Sequence, residues 1–329
     1  MLPSPADIRA AAERLRDVVV RTPLVPSHAL GTTAGMDVHF KCEHLQRTGS
    51  FKLRGAYNAL ATLPATVRAG GVVASSAGNH GLGVAHAARI LGLRARIFVP
   101  ASAPAVKRDG ILALGAEVDA SAATYDDAHA AAVEYAESMG MPFVNPCAGA
   151  PLLAGQGTVA LEILEALPTT ATIVVPVGGG GLAGGMGAWI RATSPGTRLV
   201  GVQSEVTSAM CASLAAGRRV TVDVPPTLAD GLAGQIDDEG LAAGQYALDE
   251  IRLVSEAAIR DAIAWLAHVH GAKVEGSGAV GVALLLAQDA PRFDGPVVVV
   301  LSGGNIDAGR WEAITAGGEA AESLRHSTA

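Results

Sequence analysis

Residues 172–185 read TIVVPVGGGGLAGG, and this stretch joins a strand signal to a glycine run and the start of a helix. Residues 172–177 are mostly β-branched, which is typical of a buried strand. Four consecutive glycines follow at 178–181. Free backbone N–H groups and the positive end of a helix dipole can bind a phosphate where side chains are missing. The stretch therefore predicts a phosphate site between a strand and a helix.

The same alternation of strand and helix signals recurs along the chain. Short β-branched runs occupy residues 71–75, 95–100, 172–177, 198–202 and 296–302, and helical spacing occupies residues 82–91, 125–139, 158–167 and 256–269. Strands that alternate with helices predict an α/β fold with parallel, doubly wound sheets. At about 150 residues per domain, the 329 residues predict two domains. Ligands of such sheets bind beyond the carboxyl ends of the strands.

Composition and charge exclude several functions. The net charge is −7 and there is no run of Lys or Arg, so nucleic acid is not expected as a partner. Apolar stretches such as 279–287 are far shorter than the roughly 20 residues that span a bilayer, so no membrane partner is expected. Cys42, Cys147 and Cys211 form no Cys-x-x-Cys pair, and residues 4–7 read as a helix start rather than a signal peptide. A cytoplasmic location is expected.

The glycine run is compatible with two cofactors. Gly179-x-Gly181-x-x-Gly184 fits the dinucleotide fingerprint, and Glu205 lies about 20 residues further on, where an acid would bind the ribose. This alternative predicts a nicotinamide-dependent oxidoreductase. A glycine-rich turn without any ligand is the third possibility for the same residues.

Residues 41–56, KCEHLQRTGSFKLRGA, closely resemble the lysine segment of the threonine dehydratase and serine racemase family of fold-type II pyridoxal-phosphate enzymes. The resemblance continues, in the family's order, through residues 76–80, 155–158, 178–181, 228–231 and 302–305. It implies a tryptophan synthase β-like fold with two doubly wound domains. The larger domain would comprise residues 1–45 and 148–316 and the smaller one residues 46–147, with residues 317–329 as a C-terminal tail.

The resemblance also implies the site residues. It makes Lys52 the catalytic residue that holds pyridoxal 5′-phosphate as a Schiff base and then removes the Cα proton, although a lysine beside Arg54 would by itself be read as a solvated cation. The implied cofactor-binding residues are Lys52, Phe51, Asn79, Gly178, Gly179, Gly180, Gly181, Leu182, Ser302 and Gly303. The implied substrate carboxylate site comprises Ser76, Ala77, Asn79 and His80.

Two of these residues bear on the reaction. Ser302 resembles the residue opposite the pyridine nitrogen, and a neutral hydroxyl does not hold that nitrogen protonated as a carboxylate would. Loss of a β-substituent is thereby favoured over transamination. Ala77 stands where serine racemases have a serine that acts as the second acid or base, and a methyl group carries no proton. Racemisation by that route is disfavoured.

The family's structural cation is often held by a Glu and an Asp, where this chain has Gln203 and Ala209. Divalent cations of this kind prefer charged oxygen ligands, so we expect no metal.

The resemblance therefore implies a pyridoxal-phosphate-dependent dehydratase, or ammonia-lyase. L-Threonine giving 2-oxobutanoate and ammonia is the first choice of substrate, with L-serine as the second. The alternatives are the same chemistry on 3-hydroxyaspartate, phenylserine or a hydroxyectoine-derived acid, an amino-acid racemase, and the oxidoreductase named above. Because members of the family commonly form dimers, a homodimer is expected.

Overall fold

A computed structural model of the chain describes residues 1–316. Its strands are β1 (Leu24–Pro26), β2 (Val38–Lys41), β3 (Val72–Ser75), β4 (Ala95–Pro100), β5 (Glu117–Ala122), β6 (Thr172–Pro176), β7 (Arg198–Ser204), β8 (Glu250–Val254) and β9 (Val297–Val300). Its α-helices are α1 (Pro5–Leu15), α2 (His28–Ala34), α3 (Lys52–Thr62), α4 (Ala65–Arg68), α5 (Asn79–Leu91), α6 (Ala105–Leu112), α7 (Tyr125–Met139), α8 (Ala150–Ala166), α9 (Gly181–Thr193), α10 (Ala209–Ala216), α11 (Asp238–Ala247), α12 (Glu256–His270), α13 (Gly276–Leu286) and α14 (Ala308–Ala316). The predicted tail at 317–329 lies outside the described residues.

The larger sheet has six strands in the order β1-β2-β9-β6-β7-β8. Its neighbouring strands are parallel except for β1 and β2, which pair antiparallel. Side chains on β6 alternate between its two faces, so that Val174 packs with residues of α12 and α13. Ile173 and Val175 pack on the other face with residues of α1, α8 and α9. Helices cover both faces, which makes this sheet doubly wound.

The smaller sheet consists of β3, β4 and β5, all parallel. One face, including Val72 and Ile97, packs against α3 and α5. The opposite face, with Val73 and Phe98, packs against α7. The predicted α/β class with two doubly wound parallel sheets is therefore confirmed. The division of the chain at residues 46–147 stays a prediction.

The predicted strand runs do not include β1, β2, β5 or β8, and the predicted start of α8 is too late. Strand β5 reads EVDASA and is a partly exposed edge strand, so it needs no run of β-branched residues. Helix α8 was expected from residue 158, yet it begins at Ala150. Pro151 explains the early start because its fixed φ suits the first turn of a helix.

No helix within residues 1–316 is long and apolar enough to cross a membrane. The apolar stretch at 279–287 falls mostly within α13, which is buried almost throughout. The predicted helix start at residues 4–7 is also present. Ser4 caps α1, and its side chain accepts a hydrogen bond from the Asp7 backbone N–H.

Candidate active site

Lys52 lies at the first position of α3, where the two sheets meet. Its Nζ donates a hydrogen bond to the backbone oxygen of Pro146 at 2.8 Å and lies 5.2 Å from the ring centroid of Phe51. The Phe51 N–H donates to the backbone oxygen of Ser302, just beyond β9, at 3.1 Å. Ser50 and Gly303 form an antiparallel bridge beside it. The lysine is therefore anchored directly against the strand end that carries Ser302.

The glycine loop at 178–181 is enclosed so tightly that side chains are excluded. A Cβ on Gly179 would lie 2.6 Å from Cys147 Sγ, and one on Gly180 would lie 2.9 Å from the backbone oxygen of Gly240. Gly180 also has a φ of +89°, in the left-handed region that favours glycine. The sequence requires glycine here because neighbouring segments approach the loop on both sides.

The backbone N–H groups of residues 178–183 have no acceptor within the described part of the chain. The first hydrogen bond of α9 runs from the Gly184 N–H to the Gly180 oxygen at 2.7 Å. Leu182, by contrast, turns its side chain into the core of the larger sheet. The junction therefore offers several free donors and a helix N-terminus to an anion, as the sequence predicts.

A second set of free donors lies at the start of α5. The N–H groups of residues 79–81 have no acceptor among residues 1–316, and the Ser76 Oγ accepts from the Gly78 N–H at 3.1 Å. Ala77 packs against the hydrophobic core of the smaller sheet. This geometry suits a carboxylate, which accepts several backbone N–H groups at a helix N-terminus.

His80 is buried and neutral. Burial and the neighbouring Lys52 lower the pKa of its imidazole to about 3. Its Nε2 lies 2.9 Å from the backbone oxygen of Val144, which only accepts, so the proton resides on Nε2. Nδ1 is then an acceptor, and it has no partner among the described residues. The side chain has no donor left, so only the backbone N–H of His80 can serve a carboxylate.

Asn79 belongs to a chain of hydrogen bonds that the sequence did not reveal. Its Nδ2 donates to Glu275 Oε1 at 2.6 Å, and its Oδ1 accepts from Asn305 Nδ2 at 2.7 Å. Gly303 makes room for this chain, because a Cβ there would meet the Glu275 carboxylate. The only sequence signal for Glu275 is an acidic residue directly before the apolar helix α13.

Ser302 completes the set of predicted cofactor residues. It is 3% exposed, and its Oγ has no hydrogen-bond partner within the described residues. The buried Oγ atoms of Ser50 and Ser75 also lack partners there. Buried polar atoms in proteins are nearly always paired, so each of these two hydroxyls has hydrogen-bonding capacity left for a ligand or a water.

Four buried side chains form what we call the charge cluster: Lys41, Glu43, Arg54 and Glu162. Arg54 donates to Glu43 and to Glu162 through hydrogen bonds of 2.7–3.0 Å, and Lys41 Nζ donates to Glu162 at 2.6 Å. The two cations and two anions are all paired. Arg54, for which the sequence made no prediction of its own, is completely buried.

At the position where the family often holds a structural cation, the side chain of Gln203 is hydrogen-bonded to neighbouring backbone groups. The Gln203 side chain donates to the Thr207 backbone oxygen at 2.8 Å and accepts from the Cys211 N–H at 2.9 Å. Within residues 1–316 there is no group of three or more His, Cys, Asp or Glu that could hold a metal. Glu205, the acid of the dinucleotide alternative, is exposed.

Comparison with known proteins places these features in a family. The sequence pattern of the family described as pyridoxal-phosphate dependent enzyme matches residues 15–303. An L-threonine ammonia-lyase of Geobacter sulfurreducens is 43% identical over 303 residues, which cover 91% of this chain and 75% of that protein.

Solved structures of similar proteins support the same family. The structure of maize serine racemase has a TM-score of 0.91 and 31% identity, covering 99% of this chain and 100% of that chain. The processed form of threonine deaminase isoform 2 from Solanum lycopersicum has a TM-score of 0.88 and 32% identity, covering 94% of this chain and 86% of that chain. Of the two cofactors that the glycine run allowed, the family uses pyridoxal phosphate. The resemblance drawn from the sequence is confirmed, and the chain belongs to the family of pyridoxal-phosphate dependent enzymes.

Proposed function

We propose that the protein is a pyridoxal-phosphate-dependent L-threonine ammonia-lyase, which converts L-threonine to 2-oxobutanoate and ammonia and acts on L-serine as a second substrate. The observation that carries the proposal is the convergence of Lys52 with the glycine loop, Asn79 and Ser302, which follow the carboxyl ends of β6, β3 and β9. The 43% identity to an L-threonine ammonia-lyase supports the choice of reaction.

The residues at this edge fit the cofactor. The free N–H groups of residues 178–183 would hold its phosphate, with Leu182 supporting the loop from the core. Ser302, which is 3% exposed and whose side chain makes no hydrogen bond within the described residues, would face the pyridine nitrogen. Asn79 would donate to the ring oxygen, and Phe51 and Gly303 would flank the ring. When bound, pyridoxal phosphate withdraws electrons from the Cα of an amino acid and so acidifies its proton.

Lys52 would perform two tasks. Its Nζ would bind the cofactor covalently and, once the amino acid has displaced it, would take the Cα proton of the substrate. The backbone N–H groups of residues 79–81, with Ser76 at their side, would hold the substrate carboxylate and so orient the Cα–H bond toward Lys52. The β-hydroxyl leaves as water, and hydrolysis of the released product gives the 2-oxo acid and ammonia.

Racemase activity is the second candidate, because the fold is similar to that of maize serine racemase. A two-base racemase needs a proton carrier on the face opposite Lys52. Ala77 carries none, and its methyl group packs into the core of the smaller sheet. Elimination therefore dominates in our proposal, and any racemisation should be slow.

Borohydride reduction of the holoenzyme, followed by peptide mass analysis, tests the cofactor placement. We expect a pyridoxyl group on Lys52, and none on Lys273, an exposed lysine that serves as the control. The absence of an adduct on Lys52 would contradict the proposal. Release of 2-oxo acid should then be measured with L-threonine, L-serine, 3-hydroxyaspartate, phenylserine and a hydroxyectoine-derived acid. If L-threonine and L-serine were inert, the choice of substrate would be wrong.

The quaternary structure and location are part of the same proposal. We propose a homodimer in the cytoplasm that binds neither nucleic acid nor membranes. Light scattering coupled to size-exclusion chromatography measures the mass directly, and a monomeric mass would contradict the dimer.

A further inference from the structure

Glu275 is a buried carboxyl directly behind Asn79. It is 5% exposed and precedes the first residue of α13. Its Oε1 accepts from Asn79 Nδ2 at 2.6 Å, and its backbone N–H donates to the Gly303 oxygen at 3.1 Å. The carboxyl is thereby fixed to the loop that follows β9 and to the start of α5 at once.

The hydrogen bonds around Asn79 determine which way its amide faces. The backbone oxygen of Thr48 only accepts, and it accepts from Asn305 at 2.8 Å, so that atom of Asn305 is Nδ2. The same Nδ2 lies 2.7 Å from Asn79, so that atom of Asn79 is its oxygen. The Asn79 nitrogen therefore points to Glu275, which accepts. The chain of hydrogen bonds has an acceptor at each end, the Thr48 oxygen and the Glu275 carboxylate. Both acceptors require the same orientation of the Asn79 amide.

This orientation leaves Asn79 with one unused N–H. We propose that Glu275 is a positioning residue that holds the Asn79 amide so that this N–H, rather than the amide oxygen, faces the ring oxygen of pyridoxal phosphate. The inference rests on the proposed placement of the cofactor beside Asn79. If the amide turned over, its oxygen would face the ring oxygen, and two acceptors would repel each other.

The cost of burying Glu275 supports a role beyond packing. Burial and the nearby Asp230 carboxylate raise the pKa of Glu275 to about 7, while the hydrogen bond from Asn79 and the charge of Lys107 act in the opposite direction. An apolar side chain of similar size would fill the space without this cost. Proteins tolerate such a cost at functional sites.

Two variants of the holoenzyme distinguish the effect of losing the hydrogen-bond acceptor at residue 275 from the effect of changing the shape of the side chain. Glu275→Gln keeps an oxygen that can accept from Asn79, and Glu275→Met keeps the length but has no strong acceptor. We expect Glu275→Gln to retain the visible absorption band of bound pyridoxal phosphate and its dissociation constant within about threefold. Glu275→Met should shift that band and weaken binding about tenfold, the effect of one lost hydrogen bond to a charged group.

Thermal unfolding of the cofactor-free variants distinguishes positioning from a structural role. A structural role would lower the midpoint in Glu275→Met and leave the cofactor band unchanged, which would overturn the inference. It is equally overturned if Glu275→Gln loses the band as Glu275→Met does. Should Glu275→Met fail to fold, Asn305→Asp tests the orientation of the Asn79 amide from its other end, because it places an acceptor against the Asn79 oxygen and should shift the band. An unshifted band in Asn305→Asp would overturn the inference. A wild-type protein without a cofactor band would refute the proposed function instead.

Discussion

Two sets of buried polar groups contrast with each other around Lys52, because they are satisfied to opposite degrees. On one side, Arg54 ties the charge cluster together, and every charge has a partner within hydrogen-bond distance. On the other side, Ser50, Ser75 and His80 each have a buried polar atom with no partner in the described residues. An unpaired buried polar group costs roughly 1–3 kcal/mol. The charge cluster is satisfied within the protein, whereas these three atoms keep hydrogen-bonding capacity that a ligand can use.

The charge cluster holds segments that are distant in sequence. Arg54 lies on α3, Glu162 on α8 and Glu43 just beyond β2. Burial alone would raise the pKa of Glu43, but the guanidinium of Arg54 and the ammonium of Lys41 hold it below its usual range. The cluster therefore fixes the start of α3, and with it Lys52, relative to the larger sheet.

The largest predicted effect is the loss of activity on replacing Lys52, which should leave stability almost unchanged. Lys52→Ala should lower the rate of 2-oxo acid release at least about a thousandfold, because both the covalent attachment and the base are lost. The free energy of unfolding of the cofactor-free protein should change by less than about 1 kcal/mol, because the Lys52 side chain makes one hydrogen bond within residues 1–316, to the Pro146 oxygen. Denaturant titration and a continuous assay measure the two quantities. A large loss of stability would mean that Lys52 belongs to the satisfied set.

The next prediction breaks the charge cluster. Arg54→Met leaves Glu43 and Glu162 with Lys41 as their only cation in the cluster, and removing one partner of a buried ion pair costs about 3–5 kcal/mol. Denaturant titration should show this loss. The matched control is Arg21→Met, which breaks the exposed pair with Glu165 and should cost at most about 1 kcal/mol. Equal losses of stability in Arg54→Met and Arg21→Met would contradict the conclusion that the charge cluster contributes more to stability than an exposed ion pair.

Two buried glutamates should give opposite pH dependence of stability in the cofactor-free protein. The pKa of Glu43 is lowered, so its contribution is present above the unfolded value of about 4.3 and is lost as the pH falls through the folded value. The pKa of Glu275 is raised to about 7, so its contribution is present below the unfolded value and is lost as the pH rises through 7.

Glu275→Gln therefore should flatten the decline in stability between about pH 4.5 and 8, by about 3 kcal/mol across that range. Denaturant titrations at several pH values measure it. Asp230→Asn should remove only part of the decline, because Asp230 is the second cause of the raised pKa, after burial. An unchanged slope in Glu275→Gln would show that Glu275 does not titrate in this range.

The sequence was sufficient for the features that local patterns encode. The strand, four glycines and helix at 172–185 have the predicted arrangement, because β-branched periodicity and glycine conformational freedom are properties of neighbouring residues. The order of the motifs along the chain was sufficient to identify the family. The roles of Lys52, Asn79 and Ser302 stay predictions, although the structure brings these residues to one edge.

The features that the sequence did not reveal depend on partners far along the chain. Nothing in the local sequence around Arg54 signals its burial, which is compensated by Glu43 and by Glu162 on the distant helix α8. Glu275 is 196 positions from Asn79, and no local pattern links the two. Buried charges are paired by tertiary packing, which a single sequence does not display.

The smallest predicted effect concerns the glycine loop, because the position of its free N–H groups depends on the close packing of the loop against Cys147 and Gly240. Gly179→Ala would place a Cβ 2.6 Å from Cys147 Sγ and should weaken pyridoxal-phosphate binding about tenfold, equal to about 1.4 kcal/mol. Cys147→Ala removes the sulfur, so the double variant should recover affinity to within about threefold. Gly180→Ala should not be rescued, because its φ is +89° and its clash is with the backbone of Gly240. Fluorescence titration of the cofactor-free variants measures each constant. If Cys147→Ala restored Gly180→Ala as well as Gly179→Ala, general loosening rather than the Cys147 contact would control the loop.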